Sequence, residues 1–230
     1  MKNPANISAA VLMAAILTLT PSLSGFCGIT NWSLETAAAT YTALSGTPLR
    51  YESTVSEEDL QTALFGWYEV PKGLRDAISE IGTVIYISDS ASSDSNAVGC
   101  SGNYWKKTNS VYTIKLSYVV VRTQNDDISE TVLHELGHVF DRAVTLLAKQ
   151  DGTSASESEE RIQIYNKNAE NLIKIDLAAS QNMYNCYEAF AETFRLYIEE
   201  PDLLMSASPE AFEFMRNLIS KYAETRDTAA

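Results

Sequence analysis

The sequence predicts an α+β fold, with a short twisted sheet and helices in an N-terminal lobe and helices alone in a C-terminal lobe. Three observations carry this expectation. The strand-like segments, rich in β-branched and aromatic residues, fall before Arg122. From Ile128 onward, apolar residues recur at helical spacing between cap-like starts and stops. The 230 residues are 45% hydrophobic and only 20% charged, a composition that builds a core rather than a disordered chain.

Residues 1–25 read as an export leader. Lys2 supplies a positive charge, Ala9 to Leu19 form an uncharged, largely apolar run, and Pro21 breaks it before the small residues of a cleavage site. The run is shorter than the roughly 20 apolar residues that a bilayer span requires. Residues 26–230 are then expected to form a single secreted domain without a membrane span. Its N-lobe covers residues 26–149 and its C-lobe residues 150–230; cell-wall association is compatible with this reading.

The mature N-terminal part, up to Glu80, reads as helical. Ser56-Glu57-Glu58-Asp59 has the form of a capping box, and Pro71 suits a first turn followed by Leu74, Ala77, Ile78 and Ile81 at helical spacing. Thr83 to Ile87 reads as a short buried strand. Asp89 to Thr108 is polar and reads as a loop of the length usually reserved for function. Val111 to Arg122 alternates, with Tyr112, Ile114, Leu116, Tyr118 and Val120 on one face, and reads as a half-buried strand. Asp126 and Asp127 are candidate caps for a helix from Ile128 to Lys149. A Ser/Glu/Gly tract, Gln150 to Glu160, reads as a surface loop. Further helices are expected over Arg161–Ala179, over Asn185–Glu199 with a stop at Pro201, and over Ala211–Tyr222 behind the start signal Ser208-Pro209-Glu210.

The net charge of −13 and pI of about 4.6 argue against nucleic acid and against anionic membrane surfaces, both of which need clustered Lys and Arg. Cys27, Cys100 and Cys186 are an odd number and cannot form a complete disulfide framework; one bridge is possible, between any two of them.

The chemistry concentrates in His134-Glu135-Leu136-Gly137-His138, which contains the chain's two histidines. Four residues apart on a helix, the imidazoles share a face and can hold one ion, while Glu135 can reach a water on it. The plain alternative is a pair of surface histidines on an amphipathic helix. Gly137 in a helix interior costs about 1 kcal/mol relative to Ala, which suggests close packing there. Catalytic zinc keeps three protein ligands, so a carboxylate must complete the set. Glu188 and Glu192 share a helix face among Phe190 and Phe194. One of them can bind the ion while the other holds a ligating histidine.

His134-Glu135-Leu136-Gly137-His138-Val139-Phe140-Asp141, together with Glu188-Ala189-Phe190-Ala191-Glu192-Thr193-Phe194-Arg195 and Ser208-Pro209-Glu210-Ala211-Phe212, resembles the anthrax lethal factor-like metalloendopeptidases. That family includes small secreted Pro-Pro endopeptidases. The resemblance covers Pro71 to the C-terminus. It implies a zincin-like fold, one Zn2+ per chain on His134, His138 and Glu188, Glu135 as general base, and Glu192 behind a ligating histidine. It also implies a tyrosine that donates to the oxyanion. The family spacing falls on Gln181, so Tyr184 is the nearest substitute, with Tyr187 and Tyr165 behind it. Asp141 lies on the histidine stripe and either orients a neighbouring group or forms a salt bridge.

The function expected is a monomeric, secreted zinc endopeptidase that binds a protein or peptide substrate as an extended strand. By analogy with other zincins, Val111 to Val121 is the candidate edge strand and the Asp89–Thr108 loop a candidate flap. The rival readings are a non-catalytic surface or host-interaction protein that keeps the fold, and a toxin-like effector protease.

Overall fold

A computed structural model of the chain describes residues 41–89, 99–108, 111–123, 127–145, 154–175 and 185–227. The export leader, Cys27, Gln181 and Tyr184 lie outside the described residues.

The chain begins with two short strands, β1 (Tyr41–Ala43) and β2 (Leu49–Glu52), paired antiparallel. Gly46 turns the chain between them at φ +78, a conformation that favours glycine. This hairpin corrects the helical reading of the segment. Strands of three and four residues are too short to display a period of two. Helix α1 (Glu57–Glu69) starts where the capping box predicts: Ser56 Oγ accepts from Asp59 N at 3.1 Å and donates to Asp59 Oδ2 at 2.6 Å. Helix α2 (Lys72–Glu80) follows, with Pro71 at its N-cap, one position before the first turn.

These helices form the crossover that a parallel pairing needs. β3 (Thr83–Ser88) returns beside β2 in parallel. β4 (Gly99–Thr108) and β5 (Val111–Arg122) form an antiparallel hairpin, and β5 lies parallel to β3. The sheet order is β1-β2-β3-β5-β4.

Two expectations are corrected here. The second half of the expected Asp89–Thr108 loop is the strand β4; residues 90–98 lie outside the described residues. Among the described residues the edge of the sheet on this side is β4, and Val111–Val121 is internal. Hence Val119, Val120 and Val121 are all buried, not alternately exposed. A strand paired on both sides and covered on both faces reads as continuously apolar.

Helix α3 (Ile128–Val139) packs on β4, β5 and α1, and Phe140–Thr145 continue it as a wider π-helical turn. The rest of the expected helix, to Lys149, lies outside the described residues. Helices α4 (Glu159–Ile175), α5 (Cys186–Glu199), α6 (Pro201–Ala207) and α7 (Pro209–Asp227) complete the described fold. Pro201 therefore ends α5 and also opens a short helix, because a proline is well suited to a first turn.

One core joins both halves. Leu49, Ile85, Ile87, Val119 and Val121 of the sheet meet Val132, Leu133, Leu136, Val139 and Phe140 of α3 and its extension. Phe190 and Phe194 of α5 and Met215 of α7 belong to the same cluster. A second cluster, around Leu172, Leu196, Leu204 and Phe212, ties α4 to α5, α6 and α7. Among the described residues no helix is long and apolar enough to cross a membrane. The architecture is α+β, a small mixed sheet with helices.

Candidate metal centre

Helix α3 is buried from Thr131 to Val139 without a break. Its apolar residues account for most of that, but Thr131, His134, Glu135 and His138 are buried too. Surface histidines on an amphipathic helix are thereby excluded. Buried polar side chains need partners, and helix α5 supplies carboxylates to His134 and His138.

The two helices cross in direct backbone contact. A Cβ on Gly137 would lie 2.8 Å from Ala191 Cα and 2.9 Å from its carbonyl oxygen. Only glycine allows this approach, which is the close packing that its place in a helix interior suggested. The approach brings the first turn of α5 over the histidines. That turn is fixed by Asn185, whose Oδ1 accepts from Tyr187 N and Glu188 N, both at 2.9 Å.

Glu188 Oε2 lies 3.2 Å from His134 Nε2 and 3.1 Å from His138 Nε2. One ligand atom from each of the three residues lies within 4.8 Å of the others. The rings of His134 and His138 stand edge to face, with centroids 4.9 Å apart.

His134 Nδ1 donates to Glu192 Oε2 at 3.0 Å. An ionised carboxylate only accepts, so a neutral ring carries its proton on Nδ1 and turns its Nε2 lone pair toward Glu188. Acceptor then meets acceptor, an arrangement that a cation between them resolves. The set of two imidazole nitrogens and one carboxylate oxygen fits Zn2+.

Without an ion, a second proton on the His134 ring resolves the same contact instead. Burial works to lower the His134 imidazole, but hydrogen bonding to Glu188 and Glu192 overcomes it and raises the group to about 10. For Glu188 burial acts upward, and the two histidines outweigh it and hold the carboxyl well below the usual range. Glu192 follows the same pattern, with His134 and Arg195 outweighing burial.

Glu192 is clamped from behind. Its Oε1 accepts from Arg195 Nε at 2.8 Å and Nη2 at 2.7 Å, and Arg195 Nη1 donates to Glu199 Oε2 at 2.8 Å. Arg195 also faces Glu130 of α3 at 3.5 Å. Glu135, the expected base, is buried against the start of β4. A Cβ on Gly99 would lie 3.1 Å from both its Cγ and Oε1, and 2.6 Å from Thr131 Cγ2.

The remaining expected residues separate cleanly. Asp141 stands outside the three-residue cluster. It is fully buried, accepts from Ser156 N at 2.7 Å and Ser156 Oγ at 2.6 Å, and so ties the start of the next segment to the end of α3. Tyr165 packs in the second hydrophobic cluster. Tyr187 stacks flat on the His138 ring at 4.2 Å, with the Arg142 guanidinium 3.8 Å from its centroid. Cys100 is disulfide-bonded, whereas Cys186 is a free thiol whose Sγ donates to the Ser156 carbonyl at 3.0 Å.

Sequence reading assigned no role to Gly99, Arg142, Arg195 or Asn185. Asn185 carried a usable signal, as a capping residue type before a helix. Arg195 stood three and four residues from acids on one helix, a spacing that brings side chains together. Gly99 and Arg142 carried none, since their neighbours are distant in sequence or set by the π-helical turn.

The sequence model of the family described as anthrax toxin lethal factor, N- and C-terminal domain, matches residues 79–218. No curated protein sequence matches the chain. Among solved structures, the fold resembles the Pro-Pro endopeptidase PPEP-2 from Paenibacillus alvei, with a TM-score of 0.53 at 19% identity. The match covers 74% of this chain and 96% of that one.

Proposed function

The chain belongs to the anthrax toxin lethal factor domain family, and from that premise we propose that it is a zinc-dependent endopeptidase. The observation that carries the reading is the convergence of His134, His138 and Glu188 within 4.8 Å. Glu135, adjacent to His134, is buried close enough to act on that ring electrostatically.

When bound, zinc supplies Lewis acidity to water and to the scissile carbonyl. His134, His138 and Glu188 would hold it. Glu135 accepts the proton of the attacking water and returns it to the leaving amine. Glu192 keeps His134 in the tautomer that presents Nε2, and Arg195 keeps Glu192 ionised and aimed. Tyr184 is the proposed donor to the oxyanion, on the family resemblance.

The substrate is a peptide bound as an extended strand. Among the described residues the strand with an unpaired edge near Glu135 is β4, so the peptide adds beside β4. The similar structure is that of a Pro-Pro endopeptidase, which makes proline-rich peptides the first to test. The enzyme acts as a secreted monomer, released after removal of residues 1–25.

The experiment is metal content together with cleavage of a broad peptide library, for wild type and Glu135→Gln. Zinc in both proteins with cleavage in the wild type alone supports the proposal. Zinc without cleavage favours a binding protein that keeps the fold. Folded wild type that takes up no zinc overturns the site.

A further inference from the structure

The two ligand imidazoles are held in different ways. His134 has a carboxylate on Nδ1, at 3.0 Å from Glu192. His138 has nothing comparable: its Nδ1 is buried with no hydrogen-bond partner among the described residues. A ligating ring without a hydrogen bond on its far nitrogen is free to tilt about χ2 unless its faces are held.

The faces of His138 are held. The Tyr187 ring lies parallel to it, with centroids 4.2 Å apart and planes 21° apart. The guanidinium of Arg142 lies 3.8 Å from the Tyr187 ring centroid. The stack draws on both helices that build the site. Tyr187 precedes Glu188 at the start of α5, and Arg142 stands four residues beyond His138 in the π-helical extension of α3. Asn185 anchors the backbone of Tyr187 as it does that of Glu188.

We propose that Tyr187 is the positioning residue for His138, clamped in place by Arg142. The ring does the work through its face, so the hydroxyl is dispensable. Held this way, Tyr187 is not the oxyanion donor, a role left to another tyrosine. This inference rests on the metal reading of the site.

The test is zinc affinity by chelator competition, with the visible spectrum of the cobalt-loaded protein, for wild type, Tyr187→Phe, Tyr187→Leu and Arg142→Gln. Tyr187→Phe is expected to keep wild-type affinity and spectrum. Tyr187→Leu should weaken zinc about 10- to 100-fold, the range for residues that orient ligands, and alter the cobalt bands. Arg142→Gln should fall between. Circular dichroism of the metal-free proteins checks folding.

Unchanged zinc affinity in folded Tyr187→Leu overturns the proposal, including the case where only KM rises and Tyr187 is a substrate contact. So does a Tyr187→Phe as weak as Tyr187→Leu, which would assign the effect to the hydroxyl. If Tyr187→Leu fails to fold, Arg142→Gln decides, and wild-type affinity there overturns the clamp. A wild type that binds no zinc overturns the metal reading itself, and that failure is visible before any variant is compared.

Discussion

Gly137→Ala adds one methyl group at the crossing of α3 and α5. That carbon would sit 2.8 Å from Ala191 Cα and 2.9 Å from its carbonyl oxygen. Carbon contacts are optimal at about 3.5–4.0 Å, so the helices must part by about 1 Å. Overpacking costs about 1–3 kcal/mol. Against this, alanine in a helix interior is better than glycine by about 1 kcal/mol. The metal-free protein therefore loses at most about 2 kcal/mol and still folds. The site is less forgiving. Glu188 lies on α5 one turn before Ala191, and its oxygen sits 3.1–3.2 Å from both histidines. Such constellations tolerate about 0.5 Å of error. Zinc affinity should fall at least about tenfold, as it does when a ligand's support is removed.

The assay pairs urea denaturation of the metal-free protein with zinc affinity by chelator competition. A second substitution sharpens it. Ala191→Gly removes only the Cβ, 3.2 Å from the added methyl, and leaves the closer backbone atoms in place. Gly137→Ala with Ala191→Gly should therefore recover little. Zinc affinity within about twofold of wild type in Gly137→Ala would refute the reasoning, as would full recovery in the double variant.

Other outcomes follow from the same geometry. Gly99→Val drives a side chain into Thr131 and Glu135; kcat on any cleaved peptide should fall about 100-fold while zinc affinity holds, because a misplacement of about 1 Å in a reacting group costs that much. Equal loss of zinc would show that the strand supports the ligands instead. Glu192→Ala removes the acceptor on His134 Nδ1 and should weaken zinc about 10- to 100-fold, which chelator competition reads directly. Arg195→Met leaves Glu192 buried without its guanidinium and should destabilise by about 3–5 kcal/mol; a urea midpoint equal to wild type would contradict it. Burial pushes the Glu199 carboxyl up to about 7, although Arg195 opposes this. Its folded-state value then exceeds its unfolded one, so its stabilisation is complete below about pH 4.5 and is lost as pH rises through 7. Glu199→Gln should flatten the fall in urea midpoint between pH 5 and 8, and parallel curves for the two proteins would sink this reading.

The sequence by itself determined what depends on local geometry. His134 and His138 stand four positions apart, as do Glu188 and Glu192, so each pair shares a helix face whatever surrounds it. The Ser56 cap, the burial of β3 and the close approach at Gly137 are legible for the same reason: each follows from one residue type in one backbone state. Tertiary structure decided everything that depends on which segment lies next to which. β5 alternates like a strand with one face in solvent, yet it sits between β3 and β4, and the free edge passes to a segment whose polar composition reads as loop. Pairing order depends on the packing of α3 against β4 and β5 and of α2 against β3, and no window of sequence contains that. Tyr187 is one tyrosine among several near the site, and nothing in the sequence singles out Arg142. Only the crossing of α5 over the π-helical end of α3 stacks them on His138. Stacking is a relation between distant residues at contact distance, and chain spacing carries no record of it.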